Sequence, residues 1–393
     1  MVKVKIERLN DQLEGVGYID GKVIFIPKVK VNEEVNINIT YESSKYLRGE
    51  VLDDIKSDCP YFSKCGGCYL RNYSYEETLN LKEENLKNLF TKNKIEIPKF
   101  NLIKNPRSYN YRNKISLKVK NGKIGFYQDK TNELVEISNC LTAKEAINNL
   151  LPDLRGIGIN NGLITIRCNY NDELLIIIET KDEIIYDFSK LKENHKIAGV
   201  ILNDKCILNN DYFFDKINNH LFKVSYNSFF QVNNKVAGLI FDIVENNINS
   251  QDVVLDLYSG VGTLSVVAAS KAKHVIGIEV IPNAVRNALI NKDVNKKSNI
   301  DFMLGDVPKV ISNIKGQIDT IIFDPPRKGL DSFTINYALD KMPDKIIYVS
   351  CNPITLVRDL KLLGSKYFLK EVNLLDMFSY SYHAESVVIL ERK

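Results

Sequence analysis

The sequence predicts an α/β chain. Its C-terminal part should be a doubly wound, mostly parallel sheet, preceded by a small N-terminal β-barrel and a mainly β middle. Three observations lead there. From residue 252 onward, apolar strand-like runs alternate with helical stretches ("DVVLDL", "LSVVAASK", "HVIGIE", "NAVRNALINKD", "IDTIIFD", "KIIYVS", "ITLVRDLKLL"), the order that builds a parallel sheet with helices on both faces. Residues 1 to 55 instead alternate apolar and polar side chains between turns at Gly15, Gly17 and Gly21, as short barrel strands do. Residues 100 to 230 read mainly as strands, among them "NKISLKV", "GKIGFYQ", "LITIRCN" and "ELLIIIET". The expected units are 1–55, 56–232 and 233–393.

With 393 residues the chain can bury several cores. Fifty-three basic against forty-nine acidic residues give a net charge of +4, too small to identify a partner unless the charge is concentrated somewhere. No secretion-type leader and no membrane-length apolar run are visible, so a cytoplasmic protein is expected. Seven cysteines in such a chain suggest metal ligands, a nucleophile or core residues rather than disulfides. The abundance of Asn, Lys and Ile reads as compositional bias. Between the first two units, Ser74 and Glu77 form a capping-box pattern ahead of the stripe Leu79, Leu86, Leu89 and Phe90, which predicts a helix. Further helices are expected near 143–152 and 234–247.

In a doubly wound sheet, ligands bind at the carboxyl ends of the strands. "VLDLYSGVGTL" runs from a strand through Gly260 and Gly262 into a helix, a turn that lets backbone approach a ligand. Glu279 ends the next strand, where a carboxylate commonly binds ribose hydroxyls, and Asp306 ends the third. Cys351, in "YVSCNP", should leave the fifth strand beside Asp324, which leaves the fourth in "DPPRKG". "CPYFSKCGGC" places Cys59, Cys65 and Cys68 within ten residues, and Cys140 can complete a four-thiol metal site. Spacing does not separate zinc from an iron–sulfur cluster. From Lys104 to Lys130, eight basic residues stand against one acid, with Tyr109, Tyr111, Phe126 and Tyr127 interleaved, a pattern suited to RNA backbone and stacked bases. Cys168 and Cys206 lie in apolar runs and are expected in the core.

Taken in order, "SFFQVN", "DLYSGVGTLS", "DPPRKG", "SCNP" and "MFSYSYHAESVVIL" resemble the RNA uracil-5-methyltransferase family, and the first fifty-odd residues resemble its TRAM module, an oligonucleotide-binding type of barrel. The resemblance implies a class I, Rossmann-like methyltransferase domain and S-adenosyl-L-methionine as methyl donor, contacted by Gln231, Tyr258, Glu279 and Asp324, with Asp306 on the adenine side. It implies Cys351 as the nucleophile and Glu385 as the base, with His383 a rival on generic grounds. It also implies a [4Fe-4S] cluster on the four cysteines, which points to the 23S ribosomal RNA branch of the family, and no obligate protein partner, hence a monomer. A transfer-RNA enzyme is the near alternative. A non-catalytic RNA-binding protein involved in ribosome assembly is the alternative of another class.

Overall fold

The computed structural model describes residues 2–393. Six short strands between Val2 and Val51 form one twisted sheet around a core that includes Val4, Ile6, Ile24, Ile26 and Ile37. The middle segment forms a seven-stranded sheet covered by the helix Glu145–Leu154. The hairpin Tyr212–Ile217 and His220–Ser225 follows it.

The last unit carries an eight-stranded sheet. Its strand order is Ile300–Leu304, His274–Glu279, Val253–Leu257, Thr320–Phe323, Lys345–Ser350, Glu385–Arg392, Tyr367–Leu375 and Phe100–Ile103. The first five strands in this order, from the edge strand Ile300–Leu304 to Lys345–Ser350, are parallel because helices connect them; Glu385–Arg392 is antiparallel to both neighbours. Buried residues alternate between two apolar layers: Val254, Ile322 and Ile347 face one side, Leu255, Ile321 and Ile346 the other. This is the doubly wound arrangement the texture predicted, with one change. The edge strand Phe100–Ile103 and the helix Tyr75–Lys92 come from the segment expected to belong to the middle unit. They complete the C-terminal layer instead, since Leu86 and Phe90 join its core. The Ser74–Glu77 capping box is formed in full.

Asparagine has a structural use that composition concealed. Asn283, Asn287, Asn291 and Asn295 recur every four residues on the helix Pro282–Val294 and its C-cap, so they share one face. Asn287 joins Ser225 and Ser228, Asn291 accepts from the Lys223 amide at 2.6 Å, and Asn295 accepts from Leu221 at 3.0 Å. Asn283 reaches Asn227 at 2.7 Å. This ladder fastens the hairpin, and with it the loop carrying Gln231, to the helix that follows Glu279.

Among the described residues no helix is long and apolar enough to cross a membrane. Cys168 is fully buried as expected, whereas Cys206 is exposed on the edge strand Lys205–Asn209, because that strand has a neighbour on one side only.

Candidate active site and cysteine cavity

The glycine turn after Val253–Leu257 has the shape expected of a ligand cradle. Gly260 and Gly262 have φ of 57° and 80°, a left-handed conformation that suits glycine. A Cβ on Gly262 would meet Phe302 at 2.7 Å, while the space beside Gly260 is open. Glu279 is buried and accepts from the Gly260 amide at 2.9 Å and the Ile281 amide at 2.7 Å. Asp256 lies under the turn and accepts from Ser265 Oγ at 2.5 Å; its other oxygen and the Ser259 hydroxyl are buried without partners. Burial, together with the charges of Asp324 and Glu279, pushes the Asp256 carboxyl up to about 7. Burial also pushes Asp324 to about 7. Converging carboxyl groups of this kind favour a cation between them. S-adenosyl-L-methionine carries a sulfonium and an ammonium, so these residues fit that donor.

The remaining donor-site residues are less direct. Tyr258 has a φ of 67°, and its hydroxyl is held by Asp331 and Thr334, at 3.3 and 3.4 Å. Asp306 begins the short helix Val307–Val310 and lies 3.6 Å from Lys309. The Gln231 carbonyl accepts from Asn113 at 3.0 Å, and its half-buried side chain is available to a ligand.

Asp324 and Cys351 leave adjacent parallel strands, paired Phe323 to Tyr348. The turns are tied together: Asn352 donates to the Arg327 carbonyl at 2.9 Å, and Thr355 does so at 3.3 Å. Cys351 lines a cavity of about 230 Å³ with Arg327, Tyr382 and His383, and Asp11 and Gln12 of the N-terminal unit also line it. Burial raises the Cys351 thiol, and so do Glu385 and Asp324, while the neighbouring Arg327 guanidinium lowers it. Glu385 is 5 % exposed. Its carboxyl is held well above the usual range by burial and by Asp324, with Arg327 opposing. His383 is pushed down to about 4 by burial and by Arg327, Lys82 and Arg112, so it remains neutral. Arg327 was not singled out in the sequence. The only signal was its place three residues after Asp324.

Cys59, Cys65, Cys68 and Cys140 all line one cavity of about 430 Å³. They surround a volume rather than a point: among the described residues, no group of three or more Cys, His, Asp or Glu side chains is set to hold a single metal ion. Arg71, Arg112 and Lys114 share the cavity, and no carboxylate does.

The basic stretch is less open than its composition suggested. Lys104, Arg107, Lys123 and Lys130 pair with Glu76, Glu145, Glu136 and Glu14, all outside the stretch, and Tyr111 is buried. In the motifs "SFFQVN" and "MFSYSYHAESVVIL", Phe230 and Tyr380 are buried while Phe229 is 72 % exposed.

Comparison with known proteins agrees with this geometry. The family profile for tRNA (Uracil-5-)-methyltransferase matches residues 309–393, which hold Asp324, Cys351 and Glu385, and the TRAM domain profile matches residues 1–52. An uncharacterized RNA methyltransferase of Halalkalibacterium halodurans is 31% identical over 445 aligned positions, covering 100% of this chain and 97% of its own. The chain belongs to the RNA uracil-5-methyltransferase family. A second RNA methyltransferase, from Oceanobacillus iheyensis, is 32% identical and covers 98% of this chain and 95% of its own. Profiles for the TRM5/TYW2 methyltransferase domain and for DNA methylase match 239–347 and 52–292; the latter includes the glycine turn but none of Asp324, Cys351 and Glu385. The fold is shared with the Pyrococcus abyssi tRNA (uracil-54, C5)-methyltransferase, solved with S-adenosyl-L-homocysteine. Its TM-score is 0.79 at 22% identity, over 99% of this chain and 100% of that one. As a member of that family, this RNA methyltransferase uses S-adenosyl-L-methionine and acts on RNA.

Proposed function

We propose that this methyltransferase converts uridine to 5-methyluridine in 23S ribosomal RNA through a covalent adduct with Cys351. The observation that carries the reading is the meeting of Cys351, Arg327, Asp324 and Glu385 at the ends of neighbouring strands. Carbon 5 of uracil is a weak nucleophile. Addition of the Cys351 thiolate to carbon 6 turns the ring into an enolate whose carbon 5 attacks; Arg327 favours the thiolate in a cleft that otherwise opposes it. The donor supplies an electrophilic methyl group and leaves as S-adenosyl-L-homocysteine. Glu385 then takes the carbon 5 proton, and the enolate re-forms the ring double bond by expelling the thiolate. A carboxylate raised by burial is a stronger base than an ordinary one, whereas a histidine held near 4 is a weak one, so Glu385 is preferred over His383. Gln231, Tyr258, Glu279 and Asp306 are assigned to the donor, with Asp324 facing its sulfonium. A uridine within folded RNA must leave its stack to reach Cys351, and the exposed Phe229 is suited to stack against it.

The cysteine cavity is assigned a [4Fe-4S] cluster. Among the described residues only Arg71 of the three cations at this cavity pairs with a carboxylate, Asp58, whereas four thiolates around iron would supply negative charge within the cavity itself. Such a cluster fills a volume and needs no single convergence point. The ribosomal RNA assignment rests on this cysteine pattern. Transfer RNA is the second reading, favoured by the fold shared with the Pyrococcus enzyme. The test is methyl transfer from labelled donor to 23S RNA fragments and to transfer RNA, with Cys351→Ala as control. Label in 23S RNA that is lost in the variant supports the proposal, and label confined to transfer RNA overturns the ribosomal assignment. Turnover by Cys351→Ala refutes the mechanism. Stoichiometric zinc in a colourless protein refutes the cluster.

A further inference from the structure

We propose that Arg71 is a positioning residue that links the cysteine cavity to the loop 376–384, and through it to Glu385; the inference rests on the assignment of Glu385 as the base. The chain from Cys68 onward touches this loop at once. The Tyr69 and Leu70 amides both donate to the Tyr380 carbonyl, each at 3.0 Å. The next side chain, Arg71, places its guanidinium 4.2 Å from the centre of the Tyr380 ring and 4.9 Å from that of Tyr109, distances at which a cation is attracted to a ring face. Asp58 anchors the group: Arg71 Nη1 donates to both its oxygens, at 3.0 and 2.8 Å, and the Tyr109 hydroxyl donates to it at 2.6 Å.

The other end of the guanidinium looks toward the cavity. Arg71 lines it together with Cys68 and has a buried Nη2 without a partner. If Cys68 ligated a metal, its negatively charged sulfur would offer an acceptor on this side of Arg71 and help fix the plane that supports Tyr380.

Tyr380 needs that support. Its φ of 62° is a conformation that non-glycine residues hold only where surrounding contacts impose it. Two residues on, Tyr382 packs edge-on against Tyr69 at 5.1 Å, and it lines the Cys351 cavity together with His383. Glu385 lies three residues after Tyr382 and begins the strand Glu385–Arg392, paired with Leu375, while no side-chain hydrogen bond among the described residues holds its carboxyl. The path Cys68, Arg71, Tyr380, Tyr382, Glu385 is therefore one of direct contacts or near neighbours in the chain.

The coupling is tested on the full chain with Arg71→Ala, Arg71→Lys and Tyr380→Phe, by hydrogen–deuterium exchange and by single-turnover methylation. Arg71→Ala should raise exchange in 380–385 and leave 253–323 unchanged. It should keep methyl transfer within about threefold of the parent, slow release of methylated RNA by about tenfold or more, and accumulate the protein–RNA adduct. Arg71→Lys, which keeps the charge but loses the plane, should be intermediate; Tyr380→Phe, which keeps the ring, should match the parent. Removing the cavity's metal from the parent should reproduce the exchange change. Unchanged exchange in 380–385, or equal losses of transfer and release, would overturn the proposal. If the parent methylates no RNA, the functional reading fails, while the exchange measurement still decides the coupling.

Discussion

If Asp324 faces the sulfonium, donor binding must depend on pH in a calculable way. In the free protein, burial holds this carboxyl at about 7. Roughly a tenth is then ionised at pH 6 and roughly nine tenths at pH 8, so a ligand that requires the carboxylate gains about tenfold in affinity, or about 1.4 kcal/mol, across that range. The direction follows from charge. A cation stabilises the ionised form, binding below about pH 7 releases a proton, and affinity rises with pH before levelling off. Calorimetric titration of S-adenosyl-L-methionine at pH 6, 7 and 8, in two buffers of different ionisation enthalpy, measures both the affinity and the proton. S-adenosyl-L-homocysteine, which lacks the sulfonium charge, should show a shallower slope. Asp324→Asn should flatten the profile while weakening binding at pH 8. Equal donor affinity at pH 6 and 8 with no proton release would refute the placement of Asp324 against the sulfonium.

Glu385→Gln preserves shape but removes the basic oxygen. It should leave adduct formation nearly intact and slow release by roughly 10²- to 10⁴-fold, seen as a persistent protein–RNA band on denaturing gels. Arg327→Leu removes a neighbouring cation that lowers the Cys351 thiol, so adduct formation should need a higher pH, with its rate profile displaced upward and partly restored by Arg327→Lys. In the donor-free protein, Asp256 ionises near 7 when folded but near its ordinary value of 3.8 when unfolded. The folded state thus holds the extra proton, and stability should fall as pH rises from about 4 to 7, then level off; thermal unfolding across pH should show this slope reduced in Asp256→Asn. Lys82 and Asp376 form a buried ion pair of 2.6 Å, so Lys82→Met should destabilise the fold around loop 376–384 by about 3–5 kcal/mol and Lys82→Met with Asp376→Asn by less, as read by urea unfolding.

The sequence alone determined what depends on local order. Strand and helix periodicities are properties of neighbouring residues, so the parallel sheet, the Ser74 capping box and the glycine turn were legible. So was the closeness of Asp324 to Cys351, because in a doubly wound sheet the fourth and fifth strands are neighbours. The motifs at the strand ends likewise named the donor and the candidate nucleophile. What only the tertiary structure decided depends on residues distant in the chain. The strand Phe100–Ile103 joins a sheet whose other strands begin at Val253, because Tyr367–Leu375 offers it an unpaired edge. Four cations of the basic stretch are paired with glutamates elsewhere in the chain, which no count within the stretch reveals. The asparagines that looked like bias become a ladder once a hairpin lies against their helix face. Glu385 and His383 are two residues apart, and in the sequence only the family motif favoured Glu385; burial and the surrounding charges raise one and depress the other. Local patterns placed the reactive groups at one end of the sheet, while desolvation and the arrangement of charges, which exist only after folding, set the protonation of each.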